Sequence, residues 1–184
     1  WMSSEQYAVT AQPPEALRSQ IHSIRYTLFN IDDPMLRRML QSLLVDRFHL
    51  KFHQDSKTGE VYLLERNAKP LALHAAKIPA GASESVPFGS IGFAGGKWSL
   101  FDTTMPQLAR YASSFILHAP VVDRTELTGV FDFRGAQPDL EPQYSGDQST
   151  SFKAFLAQSG LKLERSKGEF QTFVIDEATR PSEN

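Results

Sequence analysis

The stretch "LLVDRFHLKFHQDSKTGEVYLLE", from Leu43 to Glu65, decides how the first part of the chain folds. Its beginning completes an apolar helical pattern, after which the period changes to two, with Phe48, Leu50 and Phe52 on one side. A period of two is typical of a strand with one buried and one solvated face. "DSKTG" has the composition of a turn and "EVYLLER" that of a returning strand. The stretch therefore predicts a helix followed by a β-hairpin.

Two histidines four residues apart, His49 and His53, raise the question of a metal site. On a helix such a pair shares a face about 6 Å apart and can bind one ion. On a strand the two lie about 13 Å apart, because each residue advances the chain by roughly 3.3 Å. Since the pattern is that of a strand, we predict two solvent-facing histidines beside Lys51 and no shared metal. The other histidines are isolated and are predicted to lie on the surface or in loops: His22, His74 and His118.

Further helices and strands follow from the same periodicities. The predicted helices are "PEALRSQI", "DDPMLRRMLQSLLVDRF", "TTMPQLARYASSF" with Thr103 or Thr104 as its cap, and "SFKAFLAQSG", closed by Gly160. A short strand is predicted at Tyr7 to Gln12, another in "KWSLFD", and two on either side of the polar turn that ends at Gly129. At the end of the chain, "LKLER" and "EFQTFVID" are predicted to be strands joined by a tight "SKG" turn.

The first and last units share one plan of helix end, "LK" strand, glycine-containing turn and second strand. Leu50-Lys51 matches Leu161-Lys162, and Gly59-Glu60 matches Gly168-Glu169. The plan predicts an α+β fold of repeated small α-β-β and β-α-β-β units, in which antiparallel sheets are each covered by a helix.

Composition suggests how these units divide the chain. A stretch rich in Pro, Gly, Ala and Ser before "KWSLFD" reads mostly as loop. We therefore predict an N-terminal α-β-β lobe at 1–78, a linker loop at 79–97, and a C-terminal lobe at 98–184. One compact domain overall is the alternative.

Charge and residue content exclude several classes of function. The 19 basic and 21 acidic residues leave no basic footprint for nucleic acid. The absence of cysteine rules out disulfides, thiolate catalysis and cysteine-ligated metals. No apolar run approaches the roughly 20 residues of a membrane-spanning helix. The start "WMSSEQ" lacks the charged and apolar regions of a signal peptide.

Catalytic motifs are missing from the sequence, which contains no GxSxG, GxxxxGK[ST], GxGxxG or HExxH. "GFAGGK", from Gly92 to Lys97, is glycine-rich but lacks the spacing of a phosphate loop and precedes a strand. Asp123, Glu126 and Asp132 are candidate paired carboxylates, but carboxylates in turns usually bind backbone amides. We expect Asp123-Arg124-Thr125 to organise the turn, and we predict no catalytic residue, cofactor or metal ligand.

Three segments carry a family resemblance: "MLQSLLVDRFHLKFH", "MPQLARYASSF" with "APVVDRTELTGVFDF", and "GLKLERSKGEFQTFVIDEATRPSEN". Together they look like DUF3738, the soil-associated family of exported proteins from soil bacteria. The resemblance implies a periplasmic or secreted location after removal of a signal peptide and, in some relatives, fusion to membrane metallopeptidases similar to beta-lactam sensors. It implies no known activity, cofactor or catalytic residue.

Two hypotheses about function follow. The first is a non-catalytic protein-interaction or ligand-sensing module, in which an edge strand or a groove between sheets binds an unknown protein or cell-envelope partner. The layout is similar to the small β-α-β-β modules at the periplasmic ends of secretins and siderophore receptors, which dock partners. The alternative is an extracytoplasmic hydrolase whose site combines Asp123, Asp132 and the histidines.

Overall fold

The computed structural model describes residues 12–22, 34–76, 89–94, 97–135 and 148–181. Within these ranges the helices are α1 (Glu15–His22), α2 (Pro34–Phe48), α3 (Met105–Tyr111), which continues as a π-helical turn (Ala112–Leu117), and α4 (Gln148–Ser159). The strands are β1 (Lys51–Arg66), β2 (His74–Ala75), β3 (Ser90–Ala94), β4 (Lys97–Thr103), β5 (Val121–Asp123), β6 (Phe131–Arg134) and β7 (Leu161–Glu177). The strand predicted at Tyr7 to Gln12 lies outside the described residues except for its last position.

The strands form two sheets, one of three strands in the order β5-β1-β7 and one of four strands in the order β2-β6-β4-β3. Every pairing is antiparallel except that of β5 with β1. The predicted α+β class with antiparallel sheets is therefore confirmed. In the stretch predicted to be a loop, Ser90–Ala94 form β3 and pair with β4, and 77–88 lie outside the described residues.

The two predicted hairpins are wrong, because β1 and β7 each run without a turn through the segments read as "DSKTG" and "SKG". The two strands pair antiparallel from Lys51 opposite Glu177 to Arg66 opposite Leu161. They make one long two-stranded ribbon, which joins the first predicted lobe to the last strand of the second. Each of α2–β1 and α4–β7 is thus a helix followed by one long strand, and the two long strands pair with each other.

The glycines in the two predicted turns explain why the hairpin predictions were wrong. Gly59 and Gly168 lie directly opposite each other in the ribbon, and neither has a positive φ. A Cβ on Gly59 would come 3.2 Å from the Phe170 ring, and one on Gly168 would come 3.1 Å from a Val61 methyl. Each glycine makes room for a side chain of the other strand, so its presence reflects packing in a strand.

The helix ends follow local signals in the sequence. Thr104 caps α3 in a capping box, in which its hydroxyl accepts from the Gln107 amide and the Gln107 side chain accepts from the Thr104 amide. α4 ends at Gly160, whose φ of 90° places it in the region that favours glycine. His49 occupies the corresponding position after α2 with a φ of 47°.

The core lies where the four-stranded sheet, α3 and α4 meet one end of the ribbon. Leu64 and Leu161 of the ribbon are fully buried there. Trp98 lies edge-on to Phe152 at 5.0 Å between ring centroids, and its indole N–H donates to the Ser151 hydroxyl. The side chains that complete the centre of this core are Leu100, Met105, Leu108, Phe155 and Leu156.

Candidate docking surface on the distal ribbon

The Asp123 carboxylate organises the turn after β5, as the sequence predicts. Its Oδ1 accepts from the backbone N–H of Thr125 at 2.9 Å and from the Thr125 hydroxyl at 2.8 Å. Thr125 is itself buried, and its hydroxyl oxygen accepts from the Leu127 amide. The role of Asp123 in this network is structural, since its hydrogen bonds hold the turn together.

The other two candidate carboxylates, Asp132 and Glu126, lie in different surroundings. Asp132 accepts from the backbone N–H of Asp102, a residue with a φ of 45°. Glu126 is exposed and lines a cleft of about 520 Å³ together with Asp123 and Arg124. Asp132 is not among the residues that line this cleft. The structure thus brings two of the three carboxylates to one cleft and gives the third a backbone contact elsewhere.

The described histidine side chains lie on different elements. His49 lies before β1, where its Nδ1 is 2.9 Å from the Thr179 hydroxyl, and the Nδ1 of His53 is 2.9 Å from the Asp176 carboxylate. The hydrogen bond and the charge of Asp176 raise the pKa of His53. His74 lies in β2 and His118 follows the π-helical turn. Among the residues that the structure describes, no three His, Asp or Glu side chains gather in a group that could hold a metal ion.

The ribbon has two halves with different surroundings. The proximal ribbon, residues 59–66 of β1 with 161–168 of β7, borders the core. The distal ribbon consists of residues 51–58 of β1 with 169–177 of β7. All eight distal residues of β1 are exposed. This half therefore extends beyond the main core.

One face of the distal ribbon has a cluster of apolar side chains at its far end. Phe52 lies opposite Ile175, and it contacts Phe173 edge-on with ring centroids 5.6 Å apart. Side chains that face each other across an antiparallel pair lie on the same face. Phe173 and Ile175 are 61% and 52% exposed. We call Phe52, Phe173 and Ile175 the distal apolar face.

The opposite face of the distal ribbon carries most of its charges. His53, Asp55 and Lys57 alternate along β1 on this face, and Asp176 pairs with His53 across the strands. These charged side chains are exposed to water, so their cross-strand pairs contribute little to the stability of the ribbon. These charges lie on the face opposite Phe52, Phe173 and Ile175, whereas the Glu169 carboxylate shares the face of those three side chains.

The sequence match between the two helix–strand units pairs the distal apolar face with a core surface. By the match of Gly59-Glu60 with Gly168-Glu169, Phe173 corresponds to Leu64, which is fully buried. Both side chains lie on the same face of the ribbon. The same structural unit thus buries this position at its proximal end and leaves it exposed at its distal end.

The helices of the two units differ in the same way. The match of Leu50-Lys51 with Leu161-Lys162 differs by two residues from the match at the glycines. With it, Leu44 and Val45 of α2 correspond to Phe155 and Leu156 of α4. The α4 side chains are buried, whereas Leu44 and Val45 are 40% and 46% exposed. The first unit therefore presents apolar surface on both its helix and its strand.

The outer edge of β7 completes the candidate surface. β1 is paired on both sides at 62–64, with β5 on one side and β7 on the other. Within the described ranges, β7 pairs only with β1, so its other edge has no neighbouring strand along its 17 residues. An edge strand offers alternate N–H and C=O groups to another chain.

An ion pair closes the distal end of the ribbon. Lys51 contacts Glu177 across the strands, where the hydrogen bond and the opposite charge raise the pKa of Lys51 and lower that of Glu177. Both side chains are largely exposed. The pair fixes the register of the strand ends, and it adds little stability because solvent screens it.

The sequence could not reveal this surface by itself. Phe52 and Leu64 both occupy apolar positions of a strand pattern, and only the tertiary packing shows which end is covered. The sequence feature that could have indicated this surface is the match between the two helix–strand units, because it identifies corresponding positions in them. In the described part of the chain, no helix is long and apolar enough to cross a membrane.

Comparison with known families gives one match. The model of a family described as "Protein of unknown function (DUF3738)" matches residues 1–178. No curated protein and no solved structure matches the chain.

Proposed function

We propose that this chain, which belongs to the DUF3738 family, is a non-catalytic protein-interaction module that binds an extended segment of another protein along the outer edge of β7. The bound segment adds a strand beside the distal ribbon. In this mode of recognition, main-chain hydrogen bonds supply affinity and alternate side chains supply specificity. The observation that carries the proposal is the outer edge of β7 beside the distal apolar face, which pairs with no strand of the described residues.

Among the described residues, the stretch 170–175 of β7 lacks the features that usually protect an edge strand against strand addition. Exposed edges are normally short, bent by a bulge, or interrupted by charged residues and proline. From Phe170 to Ile175, β7 contains no charged residue and no proline. The only register shift in its pairing with β1 lies at Lys51 and Phe52, at the far end of the ribbon. The central part of the distal edge is therefore regular and uncharged.

The distal apolar face gives an added strand side chains to contact. Covering a large apolar side chain fully contributes about 1.5–3 kcal/mol. Phe173 and Ile175 are each more than half exposed. A docked segment that covers both can gain about 2 kcal/mol from them in addition to its backbone hydrogen bonds.

The small-molecule and catalytic alternatives have less support. In the cleft beside Asp123 and Glu126, the Asp123 carboxylate is already held by hydrogen bonds from Thr125, so it is not free to bind a ligand. Asp123 and Asp132 accept hydrogen bonds from backbone amides, His49 contacts Thr179, and His53 contacts Asp176. A hydrolase site would need these groups to converge on one reacting atom.

A location outside the cytoplasm is part of the proposal, and its support is the resemblance to an exported family. The partner would then belong to the cell envelope or the periplasm. Fractionation of the source bacterium with an antibody against the chain tests this. Recovery in the cytoplasmic fraction would contradict it.

Peptide selection tests the proposed function. A displayed library of random decapeptides is selected on the purified chain, and the enriched peptides are assayed on Phe173→Asp and Phe115→Asp. Phe115 is a matched control because it is also an exposed phenylalanine, at 45%, and lies in the π-helical turn. We expect extended peptides that lose binding to Phe173→Asp and keep it with Phe115→Asp. Enrichment of nothing, or equal loss with both variants, would contradict the proposal.

Backbone methylation then tests the binding mode. Each amide of an enriched peptide is methylated in turn, which removes one N–H donor at a time. An added strand directs alternate amides toward the sheet. We therefore expect methylation at every second position to abolish binding and the positions between to tolerate it. Uniform tolerance would show that the peptide does not bind as a strand.

A further inference from the structure

The charged side chains of the distal edge of β7 lie at its two ends. Between Gly168 and Glu177 the strand contains the carboxylates Glu169, Asp176 and Glu177 and no basic residue. They lie at the two ends of the uncharged stretch from Phe170 to Ile175. A strand added here meets negative charge at both ends and apolar side chains between them.

The carboxylates at the two ends are not equivalent. Asp176 pairs with His53 and Glu177 pairs with Lys51, so the charge at that end is largely compensated. At the other end, Glu169 is exposed and its side chain accepts a hydrogen bond from the neutral hydroxyl of Ser56. In the part of the chain that the structure describes, Glu169 forms no ion pair. Glu169 therefore remains available to a cation.

Glu169 shares a face with the apolar anchors at regular spacing. The odd-numbered residues Glu169, Gln171, Phe173 and Ile175 lie on the face that carries Phe52. A strand paired with β7 places a side chain opposite each of them at every second residue. The residue opposite Glu169 is therefore four positions from the one opposite Phe173 and six from the one opposite Ile175.

We propose, resting on the function proposed above, that the edge of β7 recognises an extended segment with two apolar residues two positions apart and a lysine or arginine four positions beyond the nearer one. The apolar residues cover Phe173 and Ile175, and the basic residue faces Glu169. The position between them, opposite Gln171, is polar and uncharged. The partner is thus defined by a spacing as well as by its chemistry.

A second copy of the chain fits this edge poorly. Antiparallel pairing of two β7 strands about Phe173 would place Glu169 of each copy opposite Glu177 of the other. Like charges directly opposite each other destabilise a strand pair. The same chemistry that favours a basic segment therefore disfavours self-association in this register.

A charge-swap experiment tests the inference. The probe is a blocked, fluorescent heptapeptide with valine at its first and third positions, glutamine at the fifth, lysine at the seventh and threonine between them. A second peptide carries glutamate in place of the lysine. Binding of both is measured by anisotropy on the wild type, on Glu169→Lys and on the control Glu164→Lys. Glu164 is exposed on the same strand outside the distal ribbon.

The expected result is an inverted preference. The wild type and Glu164→Lys should bind the lysine peptide about five-fold more tightly than the glutamate peptide, and Glu169→Lys should prefer the glutamate peptide. Equal binding of both peptides to all three proteins would overturn the charge inference and leave strand addition intact. Failure of both peptides to bind at about 1 mM, when selected peptides do bind, would overturn the spacing.

Analytical ultracentrifugation of the chain alone tests whether a second copy of the chain binds the edge of β7. We expect a monomer across the concentrations used for binding. A dimer that the lysine peptide dissociates would assign the edge to a second copy and would overturn the inference.

Discussion

Replacing Leu64 and Phe173 by alanine, one at a time, should give very different losses of stability. The two residues occupy corresponding positions in the repeat and lie on the same face of the ribbon. Leu64 is 0% exposed and belongs to the core. Removing a fully buried leucine side chain costs about 3–4 kcal/mol through lost burial and the remaining cavity.

Phe173 is 61% exposed, so only about two fifths of its side chain is covered. Full burial of a phenylalanine contributes up to about 3 kcal/mol, which gives a loss of about 1 kcal/mol for Phe173→Ala. For a chain of this size, 1 kcal/mol lowers the Tm by about 2–4 °C. Leu64→Ala should therefore lower the Tm by about 6–16 °C and Phe173→Ala by about 2–4 °C.

Urea unfolding followed by circular dichroism measures both losses, and equal m values show that the two variants unfold the same surface. Leu64→Val provides a milder core change if Leu64→Ala does not fold. A loss for Phe173→Ala as large as that for Leu64→Ala would show that the distal apolar face is covered in solution. That result would refute the assignment of this face as a docking surface.

Three further outcomes are expected. Asp176→Asn should lower the pKa of His53 in an NMR titration, since the hydrogen bond and charge of Asp176 raise it. The His53–Asp176 pair stabilises the ribbon at low pH, and this stabilisation is lost as the pH rises through the raised pKa of His53. An unchanged His53 titration would contradict the contact. Gly160→Ala should cost about 2–4 kcal/mol in urea unfolding, because its φ is 90° and an added Cβ would lie 2.9 Å from backbone atoms of Pro70 and Leu71; a neutral effect would contradict this. Asp123→Ala should cost about 1–3 kcal/mol through its lost hydrogen bonds to Thr125, and a loss below about 0.5 kcal/mol would show that the turn does not depend on them.

Local signals predicted the helices well. Pro34 marks the start of α2, Thr104 with Gln107 caps α3, and Gly160 ends α4. Each signal acts within a few residues of the helix end that it fixes. The sequence also placed Asp123 correctly as a turn residue, because an Asp side chain bonds to a backbone N–H two residues later.

The hairpins failed because the strands pair over a long separation in sequence. Gly59 and Gly168 resemble turn residues locally, but each is required by a side chain on the opposite strand. The residues near Gly59 in the sequence do not indicate that the Phe170 ring packs against Gly59 from the opposite strand. A turn composition therefore cannot be distinguished from a glycine in a long ribbon without the partner strand.

Only the general kind of the proposed docking surface could be predicted from the sequence. An edge strand that recruits a partner was expected, but its position depends on β7 being a single strand and on the four-stranded sheet covering one half of the ribbon. Phe173 appears in the sequence as one more apolar residue of a strand. Its exposure is a property of the tertiary structure.

Amide hydrogen exchange of the free chain, resolved residue by residue by NMR, tests the central claim most directly. If the outer edge of β7 is unpaired, amides from Glu169 to Glu177 should alternate between slow exchange, where they bond to β1, and fast exchange, where they face outward. Uniformly slow exchange through this segment would show that another strand already occupies the edge, and it would contradict the proposed docking site.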